Sequence, residues 1–114
     1  MPKNYLGKEC EIEIDRPLGS SHPKYPDCIY PINYGFIPNT VAGDDKEIDV
    51  YLLRETKPLK NAKVKIVAVI IRENDVEFKL VAVPLYNAQN VTVEEIKKST
   101  NFIEQYFKST IVIK

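Results

Sequence analysis

Two apolar segments in the second half of the chain constrain the fold most. They are KVKIVAVIIR, residues Lys63–Arg72, and VEFKLVAVP, residues Val76–Pro84, and the short polar turn Glu73–Asp75 separates them. Val and Ile favour strands, and two such segments on either side of a tight polar turn are typical of a β-hairpin. The sequence therefore predicts that this part of the chain is β-structure.

Further strands are predicted on both sides of the hairpin. Glu9–Ile14 alternates glutamate with mostly apolar residues, which is the period-2 pattern of a half-buried strand. A surface loop follows, because Asp15–Asp27 contains three prolines and a glycine. Other strands are expected near Ile29–Ile37, at Ile48–Leu53 and at Thr110–Ile113.

One helix is predicted near the C-terminus. Thr92 and Glu95 have the spacing of a capping box. Apolar and small residues then recur at intervals of three and four along one helical face: Val93, Ile96, Thr100, Ile103 and Phe107. Several short strands with one late helix predict a mainly β (α+β) fold, a small closed β-barrel with one C-terminal helix, since closure removes exposed edges. An antiparallel sheet packed on one helix is the alternative.

Length and charge limit the classes of function. A chain of 114 residues is expected to form a single domain, residues 1–114. Sixteen basic residues balance sixteen acidic ones, so no overall field attracts nucleic acid or an anionic membrane. Cys10 and Cys28 lack the spacing of a metal or redox motif, and no apolar run approaches ~20 residues. Without a signal-peptide pattern at the N-terminus, a cytoplasmic location is expected.

Negative charge is concentrated in one short stretch. Four acidic residues, Asp44, Asp45, Glu47 and Asp49, fall within six positions. Asp favours turns, so an ordinary surface turn between two strands is one interpretation. Carboxylates held close together must otherwise take up protons or bind cations. Clustered carboxylates suit hard cations such as Mg²⁺ or Mn²⁺, and the sequence lacks the residues for a soft-ligand zinc site.

Two further groups of polar residues add to this pattern. Asp75, Glu77 and Lys79 lie at alternate positions and would point to the same face of a strand. Tyr30 and Tyr34 are four apart in an extended segment, so both hydroxyls can project to one side, where phenols can donate hydrogen bonds to an anion. A solvated strand face and amphipathic core packing are the respective alternatives.

The combination of these motifs resembles the soluble family I inorganic pyrophosphatases. YPINYGFIPNT followed by DDKEIDV and then by EFKLVAVP matches the family signature, Tyr-Pro-x-x-Tyr-Gly before a cluster of aspartates. The resemblance implies an OB-like five-stranded barrel with external helices. It also implies Mg²⁺-dependent hydrolysis of pyrophosphate, or of a related small diphosphate, by a metal-activated water. A homo-oligomer is a further expectation, and neither nucleic acid nor a membrane is expected as a partner.

The resemblance also implies roles for particular residues. The expected metal ligands are Asp44, Asp49, Glu77 and Asp75. The expected substrate-binding residues are Arg16, Lys79, Tyr34, Tyr106 and Tyr30. The residues expected to take part in catalysis are Asp44, Asp49, Lys79 and Tyr34.

Some positions depart from the family pattern. Lys46 stands where the family has an aspartate implicated in activating water, and Phe107 stands where a lysine normally follows the tyrosine matched by Tyr106. The loop before Tyr30 is longer than usual, and its His22 and Lys24 offer replacement contacts to phosphate. A catalytically impaired domain that binds a phosphorylated ligand is therefore the alternative function. A barrel that stacks single-stranded nucleic acid on its tyrosines is a third, which the neutral charge and the acidic cluster disfavour.

Overall fold

A computed structural model of the protein describes residues 2–41, 46–73 and 77–113. In chain order the elements are a 3₁₀ turn at Pro2–Tyr5, β1 (Glu9–Arg16), β2 (Asn33–Ile37), β3 (Ile48–Leu52), β4 (Asn61–Arg72), β5 (Phe78–Pro84), a 3₁₀ turn at Leu85–Asn87, α1 (Val93–Glu104) and β6 (Ser109–Ile113). Across these described ranges no helix is long and apolar enough to cross a membrane.

The strands close into a five-stranded OB-like barrel. Neighbouring strands follow the order β1-β2-β3-β5-β4, and β4 pairs back with β1. The long strand β4 pairs along one edge with β5, and along its other edge its first half pairs with β1 and its second half with β6. β3 and β5 run parallel, while the β4–β5 pair is antiparallel as the predicted hairpin requires. The predicted closed barrel with one helix is confirmed, and the alternative, an antiparallel sheet packed on one helix, is wrong.

Two irregularities bend the strands where the barrel must curve. The register shifts between Ile14 and Arg16 on β1, and again between Ile66 and Ala68 on β4. Such bulges increase local twist and re-aim the side chains that follow them. On β1 the side chain that follows the bulge is Arg16, whose backbone is then paired with Tyr34 of β2.

Alternation along each strand divides the molecule into two apolar clusters. On β3, Ile48, Val50 and Leu52 point into the barrel. Tyr51 of β3 and Leu53, the residue after it, pack on the outer face. The interior cluster contains Ile12, Ile37, Val64, Ile66, Val69, Leu80 and Ala82 in addition. The outer cluster, which α1 covers, adds Tyr30, Ile32, Tyr34, Ala68, Ile70, Val81, Val83 and Ile96. The outer face therefore holds a second core, and polar residues on that face lie beside it.

The helix departs from its prediction at both ends. The Glu95 N–H donates to Thr92 Oγ1 at 3.2 Å, but the Glu95 carboxylate pairs with Arg54 at 2.8 Å and does not close the capping box. α1 ends at Glu104, so Phe107, predicted on the helical face, lies beyond it. The strand predicted near Ile29–Ile37 is shorter than expected, because β2 begins at Asn33.

Candidate active site

Four polar side chains lie on the outer face of four neighbouring strands. Tyr34 comes from β2, Asp49 from β3, Lys79 from β5 and Arg72 from β4, which is the order of these strands in the barrel. Their placement follows from alternation, because the flanking residues of β3 and β5 fill the barrel interior. The prediction that Glu77 and Lys79 share a face, opposite Phe78 and Leu80, agrees with the ion pair between them.

Lys79 is the centre of this group. Its ammonium donates to Asp49 Oδ2 at 2.6 Å and to the Tyr34 hydroxyl at 3.0 Å, and the residue is only 6% exposed. A buried ammonium is costly unless it is paired and hydrogen-bonded. Asp49 supplies the compensating negative charge, and the Tyr34 hydroxyl supplies a second hydrogen-bond acceptor. The Lys79 ammonium is therefore held in a fixed position.

A second carboxylate approaches the same ammonium. Glu77 Oε2 lies 3.6 Å from Lys79 Nζ, so Asp49 of β3 and Glu77, the residue before β5, both approach this one atom. Both carboxylates are about one-third exposed, and carboxylate oxygens are the ligands that Mg²⁺ prefers. This pair therefore suits one side of a divalent cation site. Within the described part of the chain no group of three or more His, Cys, Asp or Glu is arranged to hold a metal ion. The predicted ligands Asp44 and Asp75 lie outside the described residues.

A second cation, Arg16, also lies close to the Tyr34 ring. Its guanidinium carbon is 5.4 Å from the centroid of the Tyr34 ring, and the Lys79 ammonium is 5.6 Å from the same centroid. Arg16 Nη1 also donates to the Tyr30 hydroxyl at 2.7 Å. Tyr30 has no exposed surface, so its side chain packs in the outer core and positions Arg16. The alternative interpretation of Tyr30, packing in an apolar core, thus fits the structure. Its hydroxyl also holds Arg16, which was predicted to bind phosphate.

The Tyr34 hydroxyl stays protonated at any physiological pH. Burial raises the pKa of the phenol, and the neighbouring negative charge of Asp49 raises it further. A protonated phenol can donate a hydrogen bond to an anionic oxygen. Tyr34 is thus chemically suited to the role predicted for it, although the residue is only 6% exposed.

Asp15 is an acidic residue of this region that the sequence did not single out. Partial burial raises the pKa of its carboxyl, and the negative charges of Asp49 and Glu47 add to that rise. A backbone hydrogen bond and Arg16 act in the opposite direction. Asp15 therefore lies close enough to Glu47 and Asp49 for the three carboxylates to repel one another. The signal in the sequence was the position of Asp15 directly before Arg16, which was itself predicted to bind the substrate.

A buried network beside the site was also missed. Arg72 is bound to Glu104 through Nη2 at 2.7 Å and to Glu77 through Nη1 at 2.8 Å. Glu104 in turn accepts a hydrogen bond of 2.6 Å from the Tyr51 hydroxyl. An acidic residue in the last turn of a helix is disfavoured by the helix dipole, and the ion pair with Arg72 offsets that cost at Glu104.

Glu104→Gln is expected to lower the free energy of unfolding by about 3 kcal/mol, because it breaks a buried ion pair and leaves the Arg72 charge only partly compensated. Chemical denaturation measures the change. The matched control is Glu95→Gln on the same helix, whose pair with Arg54 is more exposed and is expected to contribute less than ~1 kcal/mol. Equal losses in the two variants would contradict the assigned importance of Glu104.

Tyr106 lies in a different setting from Tyr34. It follows α1, is 77% exposed, and lines a cleft of about 930 Å³ together with His22 and Lys24 of the long loop. Phe107, the next residue, covers Arg72, whose guanidinium carbon is 3.7 Å from the ring centroid. The loop and the residues after α1 therefore form one surface, with His22 stacked on Tyr30 at 6.3 Å between ring centroids.

Fold and site together define an OB-like barrel with a cation-rich, carboxylate-lined outer face. A model of the family described as inorganic pyrophosphatase matches residues 6–113. The chain is 30% identical over 116 residues to an inorganic pyrophosphatase of Nanoarchaeum equitans, covering 90% of this chain and 69% of that protein. It is 35% identical over 77 residues to one of Campylobacter jejuni, covering 64% and 41% respectively. The chain therefore belongs to the inorganic pyrophosphatase family.

A solved structure agrees with the fold. The inorganic pyrophosphatase from Ehrlichia chaffeensis superposes with a TM-score of 0.71 at 21% identity, covering 95% of this chain and 87% of that chain. The barrel is thus shared, while the chain spans between about two-fifths and about two-thirds of the length of the two relatives named above.

Proposed function

We propose that this protein hydrolyses inorganic pyrophosphate, or a closely related small diphosphate, to phosphate with Mg²⁺ as the cofactor. Family membership supports the reaction. The observation that carries the proposal to particular residues is the convergence of Asp49 and Glu77 on the buried ammonium of Lys79. Mn²⁺ is a second cation of suitable hardness.

Asp49 and Glu77 would hold the cation, with Asp44 and Asp75 as the further ligands predicted from the sequence. When bound, the cation supplies charge neutralisation for phosphate oxygens and lowers the pKa of an attacking water. The donor chemistry fits this cofactor, because both described residues offer partly exposed carboxylate oxygens.

Lys79, Arg16 and Tyr34 bind the phosphate groups in this proposal. Fixed donors are most effective where negative charge accumulates on the leaving phosphate, and Lys79 and Arg16 are both held in place by neighbouring side chains. Tyr30 positions Arg16 through the hydroxyl that accepts its hydrogen bond. Tyr106, with His22 and Lys24, is proposed as an outer contact on the cleft side.

A second candidate function is binding of a phosphorylated ligand without turnover. The observation in its favour is that the two proposed metal ligands within the described residues are already ion-paired, Asp49 to Lys79 and Glu77 to Arg72. Such pairing offsets the negative charge that attracts a metal. Lys46, in place of a family aspartate, acts in the same direction.

One assay separates the two candidates. Purified protein is incubated with pyrophosphate and Mg²⁺, and released phosphate is counted against a sample without metal. Metal-dependent release of two phosphates for each pyrophosphate supports the enzyme. Saturable binding of pyrophosphate in calorimetry with no release above the control would contradict hydrolysis and support the binder.

Lys46→Asp is expected to tighten Mg²⁺ binding by about tenfold and to raise the rate of pyrophosphate hydrolysis. At an effective dielectric near 20, a cation about 6 Å from a carboxylate interacts with it by roughly 3 kcal/mol, and the exposure of Lys46 reduces this. Calorimetry and phosphate release measure the two effects. Lys98→Asp, an identical charge change at an exposed position of α1, controls for net charge. Improvement in neither quantity would show that Lys46 does not weaken the site.

A further inference from the structure

Arg72 connects the end of the helix to the candidate metal site. The residue is 6% exposed at the last position of β4. All three of its guanidinium nitrogens are engaged: Nη2 and Nε bond the two oxygens of Glu104 at 2.7 and 3.3 Å, and Nη1 bonds Glu77 Oε2 at 2.8 Å. One planar group thus holds two carboxylates at once.

The helix side of this arrangement fixes the arginine. Glu104 is 8% exposed on its side chain and also accepts a hydrogen bond from Tyr51 at 2.6 Å, while the Phe107 ring covers the guanidinium. If Arg72 swung towards solvent, the Glu104 carboxylate would have to become exposed or remain buried without its ion pair, and either change is costly. Its remaining nitrogen is held in place against Glu77.

We propose that Arg72 is an internal counter-ion of the metal site, which holds Glu77 when no cation is bound and opposes the binding of a divalent cation there. The inference rests on the proposed metal-dependent function. A cation at Glu77 must share that carboxylate with Arg72, and it experiences the repulsion of the guanidinium at short range in a partly buried setting. Metal affinity is thereby coupled to the helix through Glu104.

Two opposing effects decide whether loss of the contact between Arg72 and Glu77 raises or lowers the affinity for Mg²⁺. Releasing Glu77 from Arg72 gives its side chain more rotamers, which weakens any ligand interaction modestly. Removing or retracting the positive charge of Arg72 reduces its repulsion of the divalent cation and so strengthens binding. For two charges about 6 Å apart, this effect is larger than the entropic one. The net expectation is tighter binding.

The test uses Arg72→Lys, which keeps a positive charge for Glu104 but loses the planar fork that reaches Glu77 as well. Calorimetric titration of this variant with Mg²⁺ alone is expected to give a Kd about tenfold lower than that of the wild type. Arg54→Lys is the matched control, because Arg54 makes the same kind of two-nitrogen contact with Glu95 on the same helix. Its Mg²⁺ affinity is expected to equal that of the wild type.

A second variant covers the case in which the introduced lysine retains a contact with Glu77 or the fold is weakened. The double change Arg72→Met with Glu104→Gln removes both buried charges together, which is often close to neutral for stability. It is expected to tighten Mg²⁺ binding as well. If both variants bind Mg²⁺ no more tightly than a wild type that does bind it, the proposed role of Arg72 is overturned but the metal site is not. No Mg²⁺ binding by any of these proteins overturns the metal site and the role of Arg72 with it.

Discussion

Gly35→Ala is expected to lower the free energy of unfolding by about 4 kcal/mol or more, enough to leave much of the protein unfolded. Gly35 lies in the middle of β2, where β1 crosses closely. An added Cβ would collide with the carbonyl oxygen of Glu13 and would lie 2.9 Å from the Cα of Ile14. Both are backbone atoms, so relief requires the two strands to separate at the bulge of β1.

Chemical denaturation measures this loss, and Gly19→Ala is the matched control. Gly19 has a φ of +88° but nothing within 4 Å of an added Cβ. Its replacement therefore introduces backbone strain alone, with an expected loss of about 1 kcal/mol. A Gly35→Ala variant within ~1 kcal/mol of the wild type would contradict the described contact between β1 and β2.

Lys79→Met is expected to reduce pyrophosphate hydrolysis by about 100-fold or more, which is typical for loss of one fixed charged donor in an active site. Methionine has a similar length and no charge, so packing on the outer face is largely kept. Asp49 loses its ion pair, but it still lies beside the Tyr34 hydroxyl, is about one-third exposed and can be hydrated. Because the variant removes a positive charge beside two carboxylates, Mg²⁺ binding is expected to tighten while hydrolysis falls.

The opposite direction of these two effects makes the prediction specific. Phosphate release measures the rate, and calorimetry with Mg²⁺ alone measures metal affinity. Lys63→Met, at an exposed position of β4, serves as the control and is expected to change neither. A rate for Lys79→Met within threefold of the Lys63→Met rate would show that the ammonium does not contact the reacting phosphate.

Much of the fold was predictable because alternation and turn residues are local signals. The strands around Ile12, Val50 and Val81 were expected from their patterns, and all three residues are fully buried. The parallel pairing of β3 with β5 was not predictable, since it joins segments far apart in the chain. Phe107 was misplaced because helical periodicity continues in sequence past the point where the helix ends.

The candidate site was likewise predictable only where the sequence carries a local signal. Glu77 and Lys79 were assigned to one face from their spacing alone, and Tyr34 and Asp49 from a motif. Arg72 and Glu104 were not found, because each has an ordinary local context, a charged residue at the end of a strand or helix. Only the packing of α1 on the barrel brings them together, and that contact has no signature in either segment.

The most direct test of the proposed site is a crystal structure of the wild-type protein with Mg²⁺ and imidodiphosphate, a diphosphate analogue with a nitrogen bridge that resists hydrolysis. The expected result is a cation bound by Asp49 and Glu77, with phosphate oxygens in hydrogen-bond contact with Lys79 and Arg16. A diphosphate bound only in the cleft lined by His22 and Tyr106, with Asp49 still paired to Lys79 and no cation beside it, would contradict the proposed site.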